Sequence, residues 1–296
     1  MNFFRNKVIL FFSLILYTLL LTATLLYIRF PAEKLKISCQ YRLEQLLPRT
    51  HCSIGQLSYR FPFSLVAQKI QFSSSVGEGT PLVTIDQASI TPVLASPKSR
   101  FLVTLSACGG NHDFTLILNR TDHEFSLKDI RITELDLSKL PFLHQATARE
   151  IIGSLEGNGT YHGIWKNDKY ETEGHGTITL SKGSFSLLYP ILSLKKIDLK
   201  KLETDITFQG GNLKFEKGTF NGQELKGNFS GSLGLNSGLG TSTLSFQGNL
   251  DPLPPLLKTS KHAKNMVILL KKRHNRNGLP FRLDGIVQKP IFSFDS

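Results

Sequence analysis

From Phe101 to Leu283 the chain keeps returning to a period of two. Phe101, Val103, Leu105 and Ala107 alternate with Leu102, Thr104 and Ser106, and Phe114, Leu116 and Leu118 with Thr115, Ile117 and Asn119. The pattern continues through Phe125/Leu127, Ile178/Leu180, Phe185/Leu187, Ile206/Phe208, Leu213/Phe215, Leu233/Leu235, Leu244/Phe246 and Phe281/Leu283. Successive side chains of a strand point to opposite faces, so this alternation predicts strands with one apolar and one polar face. Turn residues punctuate the pattern at Gly77–Gly79, Gly109-Gly110-Asn111, Lys182-Gly183, Gly210-Gly211-Asn212, Lys217-Gly218, Asn221-Gly222 and Asn236–Gly240. Strands this short, separated this closely, make an antiparallel meander of hairpins. Gly176–Phe185 resembles Gly211–Phe220, each a glycine, a short strand, a lysine-glycine turn and a second strand. The expected fold is mainly β, an elongated antiparallel sheet of repeated hairpins.

Helical spacing interrupts the strands in three places. Pro31 to Leu47, with Leu35, Cys39, Leu43, Leu46 and Leu47 on one stripe, predicts a short amphipathic helix that packs on the domain or lies at the membrane surface, packing being the simpler reading. Leu143–Ile152 ends at Gly153, and Pro255–Arg273 lies between a proline cluster and Gly278. The last segment carries Lys258, Lys261, Lys264, Lys271, Lys272 and Arg273 beside Leu256, Leu257, Val267, Ile268, Leu269 and Leu270. A basic amphipathic helix can contact an anionic membrane surface; the same pattern describes a helix with a solvated lysine face.

Ahead of this body, Val8–Ile28 is an uncharged apolar run. At about 1.5 Å per residue it reaches roughly 30 Å, the thickness of a bilayer core. Leu25-Leu26-Tyr27-Ile28-Arg29 lacks the small-x-small cleavage pattern, so retention as one transmembrane anchor is expected. Arg5 and Lys7 favour a cytoplasmic N-terminus, while Arg29, Lys34, Lys36 and Arg42 lie on the other flank and weaken the charge argument. The expected organisation is a tail at 1–7, a transmembrane helix at 8–28, a membrane-proximal helix at 29–50 and a β-rich extracytoplasmic domain at 51–296, with a sub-boundary near 141–157.

The formal charge of +12 is dispersed, apart from the cluster at Lys258–Arg276. It suits contact with anionic headgroups or acidic partners, or simply solubility. Three cysteines, Cys39, Cys52 and Cys108, form no C-x-x-C pair, which excludes a zinc ribbon or thioredoxin-like site on spacing. An oxidising compartment permits one disulfide, and Cys39–Cys52 is the nearest pair; the odd count leaves at least one thiol outside it.

No G-x-S-x-G elbow, P-loop or H-E-x-x-H occurs. His162 and His175, near Glu171 and Glu173, reach a common metal only if their strands pair, and turn histidines on a solvated face are the alternative. No cofactor is expected. The phenylalanines fall on the apolar side of strands rather than between basic residues, which argues against nucleic-acid binding. Asn119-Arg-Thr121, Asn158-Gly-Thr160 and Asn228-Phe-Ser230 match the glycosylation pattern, which is common by chance. What remains is the apolar face, which a sheet must cover by closing on itself, or with helices, another chain or lipid. It could form a trough for acyl chains or a dock for a partner.

Several segments resemble the protein N family of type II secretion (GspN) and, more distantly, the AsmA and TamB group of anchored β-rich proteins. They are the apolar run followed by Phe30-Pro31 and a helix; Cys52-Ser-Ile-Gly-Gln-Leu-Ser-Tyr-Arg-Phe-Pro-Phe63; Leu135–Pro141 followed by Gly153-Ser-Leu-Glu-Gly157; Gly174–Gly183; Leu225–Gly231; and Gly278–Gly285 with Lys289-Pro290. None of these motifs is catalytic. The resemblance implies a Gram-negative inner-membrane protein, its N-terminus cytoplasmic and its β domain periplasmic. It would act without catalysis as an accessory of type II secretion that binds other envelope proteins. The alternative is a lipid-handling protein with an apolar β trough that takes up phospholipid.

Overall fold

The computed structural model describes residues 10–18, 20–22, 24, 30–47, 50–74, 81–119, 121–166, 169–236, 238–259, 261–274 and 278–294. They form one 14-stranded antiparallel sheet whose spatial order is the chain order. The strands are β1 (Thr50–Arg60), β2 (Ser64–Ser74), β3 (Pro81–Pro92), β4 (Arg100–Ala107), β5 (Gly110–Asn119), β6 (Glu124–Asp136), β7 (Ile151–Lys166), β8 (Lys169–Ile191), β9 (Leu194–Gln209), β10 (Asn212–Gly222), β11 (Leu225–Gly234), β12 (Thr243–Pro252), β13 (Leu279–Ile286) and β14 (Lys289–Phe294). Alternation is the cause: each strand has an apolar face to hide, and pairing with its chain neighbour costs the least loop closure. β6 pairs with β7 across the expected sub-boundary near 141–157, so the sheet is continuous there.

Four helices sit on or beside the sheet: α1 (Ala32–Leu46), α2 (Pro141–Thr147), α3 (Pro254–Thr259) and α4 (Lys261–His274). The expected helix over 31–47 is α1, and it packs on β1 as anticipated. Its contact face is more polar than the sequence suggested. Gln40 Nε2 donates to the Cys52 carbonyl at 3.2 Å and the Cys52 N–H donates to Glu44 Oε1 at 3.1 Å, while Leu35 and Leu47 are exposed. These bonds occupy backbone groups that an edge strand would otherwise leave open to association. Cys39 and Leu43 pack against Cys52, Ile54 and Ile70 in a small core. Cys39 and Cys52, the pair that spacing would permit to bridge, are thus neighbours, here as free thiols.

Leu143–Ile152 is corrected: the helix is Pro141–Thr147, and Ile151 and Ile152 already belong to β7. Proline opens α2, and Ala148, in the left-handed region at φ 52°, closes it. The segment expected as one helix over 255–273 is two, α3 and α4. Leu256, Ala263 and Val267 from these helices pack with Leu225, Leu250, Leu279 and Phe281 of β11–β13, and with Leu192 of the β8–β9 turn, as the main core.

The lysine-glycine pairs are a second correction. Gly210-Gly211 makes a turn, with φ of 55° and 81°, but Lys182-Gly183 and Lys217-Gly218 lie inside β8 and β10. Lys182 and Lys217 are left-handed (φ 52° and 51°), and the β10 register shifts at Lys217 on both sides. They are bulges, which bend a strand and increase its twist. The repeat is real at the level of bulged strands rather than of hairpins. The Gly77–Gly79 turn lies outside the described residues.

Of the expected anchor, residues 10–18, 20–22 and 24 are helical; residues 8, 9, 19, 23 and 25–28, with the tail at 1–7, lie outside the described residues. Among the described residues no helix is long and apolar enough to cross a membrane.

Candidate functional site: an open apolar face

Strand register turns the alternation into continuous rows. One runs from β3 to β14: Pro92, Phe101, Leu116, Leu127, Tyr161, Gly174, Phe208, Leu213, Leu233, Leu244, Gly285 and Pro290 are successive partners. A second runs from β6 to β14 through Ile130, Gly159, Gly176, Ile206, Phe215, Gly231, Phe246, Leu283 and Phe292. A third joins Leu135, Leu155, Leu180, Leu202, Phe220, Gly227, Leu250 and Leu279. The opposite face is polar, with rows such as Ser126–His162–Glu173–Gln209–Asn212 and Arg131–Asn158–Thr177–Asp205–Glu216.

The three apolar rows differ in cover. Leu180, Leu250 and Leu279 of the third are buried, the last two in the core formed with α3 and α4. The side chains of the first two rows are all half-buried, from Phe101 through Tyr161 and Phe215 to Phe292. They touch one another along the sheet: Phe125, Tyr161 and Phe208 form a chain of rings at 5.9 and 5.8 Å. Phe215, Phe246 and Phe229 form another at 5.2 and 6.2 Å. Lateral contact of this kind stabilises a sheet by about 0.2–1 kcal/mol per cross-strand pair, without removing the face from solvent.

Glycine explains how the face accommodates so many rings. A Cβ on Gly218 would meet the Phe229 ring at 2.6 Å, and one on Gly231 would meet Phe246 at 2.7 Å. Gly248 lies against Phe281 in the same way, at 2.8 Å. Each aromatic side chain therefore lies across a glycine on the neighbouring strand, in space that any larger residue would fill. The sequence shows these glycines plainly, but only register says which ring covers which.

The sheet is held in its curl at one point that sequence reasoning missed. The α2 segment touches β3 and the 3-10 turn Leu239–Thr241, which are far apart in strand order. Arg149, just after α2, donates from Nη2 to the carbonyls of Val287 and Gln288 in the β13–β14 turn, both at 3.0 Å. Burial pushes the Arg149 guanidinium below its ordinary pKa, and its Nε is buried without a hydrogen-bond partner. A lone arginine between a helix and a strand carries no periodic signal.

The remaining titratable groups offer little chemistry. Burial pushes the Cys52 thiol up, with Glu44 and Cys39 adding to the effect; burial and Asp86 do the same for Cys108. Both are therefore poor nucleophiles at neutral pH. Asp136 is held below the usual carboxylate range by the Ser138 hydroxyl at 2.6 Å and backbone N–H at 3.0 Å, in the N-cap of a 3-10 turn. His162 does pair with Glu173 across strands and reaches Ser126 Oγ at 3.0 Å and Glu124 at 3.5 Å, while His175 sits opposite Thr160. Among the described residues no group of three metal donors converges.

The basic segment is arranged around a buried seam. Lys258, Lys261, Lys264 and Lys272 are exposed and Lys271 is half-buried; the side chain of Arg273 lies outside the described residues. Ile268 and Leu269 are also exposed, on the solvent side of α4.

No family model, curated protein or solved structure matches the chain.

Proposed function

We propose that this is a membrane-anchored, non-catalytic envelope protein that works by covering an elongated apolar ligand, the acyl chains of phospholipid, on the open face of its sheet. One observation carries the reading: two rows of half-buried apolar side chains, one from β3 to β14 and one from β6 to Phe246 of β12, lie outside the core that α3 and α4 form with the sheet. A protein partner needs polar anchors to fix its position, and the rows offer only the Tyr161 hydroxyl; a hydrocarbon chain needs only length and dryness. The AsmA- and TamB-like trough, the alternative implied by the sequence resemblance, has this character.

The anchor belongs to the same reading. Leu10, Phe11, Phe12, Leu14, Leu16 and Leu20 project outward from the N-terminal helical residues, and the hydroxyls of Thr18, Thr22 and Thr24 donate to the carbonyls four residues back at 2.8 Å. Hydroxyls satisfied within their own helix suit a hydrocarbon surrounding. The orientation that follows from the family resemblance puts the N-terminus in the cytoplasm and the sheet in the periplasm.

The test is native mass spectrometry of protein extracted from membranes in mild detergent. Adducts of phospholipid mass, lost in a Phe215→Asp/Phe246→Asp variant that still folds, are expected. A lipid-free mass for the wild-type chain would sink the trough.

A second reading concerns context rather than mechanism, and rests on where the family-like motifs fall. Cys52–Phe63 covers most of the first strand and its turn, Gly153–Gly157 lies in β7, and Gly278–Gly285 covers most of β13. On this reading the protein is an accessory of type II secretion whose partners are other envelope proteins. Co-purification of the secretion ATPase platform, and genes for pseudopilins and a secretin beside this one, would support it. Their joint absence would remove it while leaving the lipid reading intact.

A further inference from the structure

The ends of the first two hairpins form an exposed apolar tip beside the point where the anchor reaches the sheet. Phe30, the first described residue after the N-terminal helical segment, packs against Tyr59 with ring centroids 5.6 Å apart and the rings tilted by 33°. Tyr59 is next to last in β1, and the turn that follows it presents Phe61 and Phe63, 71% and 55% exposed. The neighbouring β3–β4 connection comes to the same end of the sheet: Leu65 pairs with Ile90, and Ser64 Oγ lies 2.7 Å from Thr91 Oγ1. It presents Leu94, 76% exposed, at its tip.

Large apolar side chains projected into water from two adjacent turns make no sense as core and contribute nothing to solubility. The charges within the two turns have one sign. Arg60, Lys98 and Arg100 are exposed at the same strand ends, and no acidic residue occurs in Arg60–Ser64 or in Ile90–Phe101. Aromatic and aliphatic tips ringed by basic residues match the headgroup layer of an anionic bilayer, where rings bury and guanidinium and ammonium groups meet phosphate.

We infer that the β1–β2 and β3–β4 tips dip into the headgroup region of the bilayer that holds the anchor, so that the sheet stands on the membrane on its first hairpins. The occupant is that bilayer, because the tip is continuous with the segment leaving it. The apolar run ends at Ile28, only Arg29 intervenes, and Phe30 already packs against Tyr59 at the tip itself. The inference rests on the proposed anchor, and the experiment separates the two.

The full chain is placed in nanodiscs of phosphatidylcholine and phosphatidylglycerol carrying bromine at shallow or deep acyl positions, in a Trp165→Phe background. Single tryptophans report from Phe61→Trp at the tip, Leu14→Trp in the anchor and Lys195→Trp at the opposite end of the sheet. Expected are a blue-shifted Phe61→Trp emission quenched several-fold more by shallow than by deep bromines, a Leu14→Trp signal quenched by deep bromines, and an unquenched Lys195→Trp. A quenched Leu14→Trp with an unquenched Phe61→Trp overturns the tip and spares the anchor. An unquenched Leu14→Trp overturns both. Quenching of Phe61→Trp and Lys195→Trp to the same extent overturns the tip as a specific contact.

Discussion

Arg149→Met tests whether one side chain holds the curled sheet together. The substitution keeps length and apolar bulk and removes the donors to Val287 and Gln288. A hydrogen bond from a charged group contributes about 1.5–3 kcal/mol net, so two would give roughly 3–6 kcal/mol. Two effects reduce this. The guanidinium is partly desolvated, as its lowered pKa records, and that cost disappears with the charge. Gln288 is exposed, so water can replace one donor. A loss of about 2–3 kcal/mol remains, which at about 2–4 °C per kcal/mol for a domain of this size is a fall of roughly 4–12 °C in Tm. The assay is circular dichroism melting of the full chain in detergent at neutral pH. Arg149→Lys, with one ammonium for two carbonyls, should fall in between. A methionine variant melting within about 1 °C of wild type would refute the idea that the α2–β13/β14 contact carries stability.

Gly218→Ala should cost about 1–3 kcal/mol, because its Cβ enters the Phe229 ring at 2.6 Å, and Phe229→Leu in the same chain should recover part of the loss in a urea titration. Cys39, half-buried, should react with iodoacetamide well before the buried Cys52, read by peptide mass spectrometry; the reverse order would contradict the packing of α1 on β1. Because burial raises the Cys52 pKa, its stabilising contribution is complete below the unfolded thiol value of about 8.5 and is lost as pH rises through the folded one. A Cys52→Ala variant should therefore show a weaker loss of Tm on the alkaline side. Asp136→Ala should cost about 1 kcal/mol as a lost cap. Its carboxyl is held below the ordinary range, so the difference from wild type should persist at neutral pH and vanish as pH falls through that lowered value; a difference unchanged down to about pH 2 would contradict the capping role.

Strand identity and face were legible from alternation wherever alternation was strong, as in β4, β5 and β9–β13. β2 was harder to see, because Ala67–Lys69 puts small and polar residues on both faces. Register was not legible at all, since it depends on bulges at Lys182 and Lys217 that local pattern reads as turns. A lysine-glycine pair permits either; pairing on both sides decides. Leu143–Ile152 misled for a related reason: Gln145-Ala-Thr-Ala-Arg-Glu favours a helix locally, yet Ile151 and Ile152 gain more by entering the sheet beside Phe185 and Ser184. The apolar face was anticipated as a consequence of the strands, whereas the cover over its β11–β13 end follows from where α3 and α4 settle.

The open face is a consequence of the way the sheet is finished. An edge can be removed by closure, or it can be covered and shortened. Here β1 is covered by Gln40 and Glu44 of α1, and β14 is a short strand beginning Lys289-Pro290, whose proline cannot donate to a further ladder. Neither edge pairs with the other. Each device protects an edge while keeping the sheet open, and an open sheet cannot bury both of its apolar ends against itself. Bulges in β8 and β10 and rings lying across glycines then curve the sheet along its own apolar side. Among the described residues α3 and α4 occupy one end of that side. The half-buried side chains of Phe101, Tyr161 and Phe215 lie outside the core these helices form and remain as a surface that the chain shapes but does not fill. A protein that only needed stability would gain about 25 cal/mol for each Å² of that surface it buried. On the proposed function, that stabilisation is recovered when hydrocarbon lies on the face.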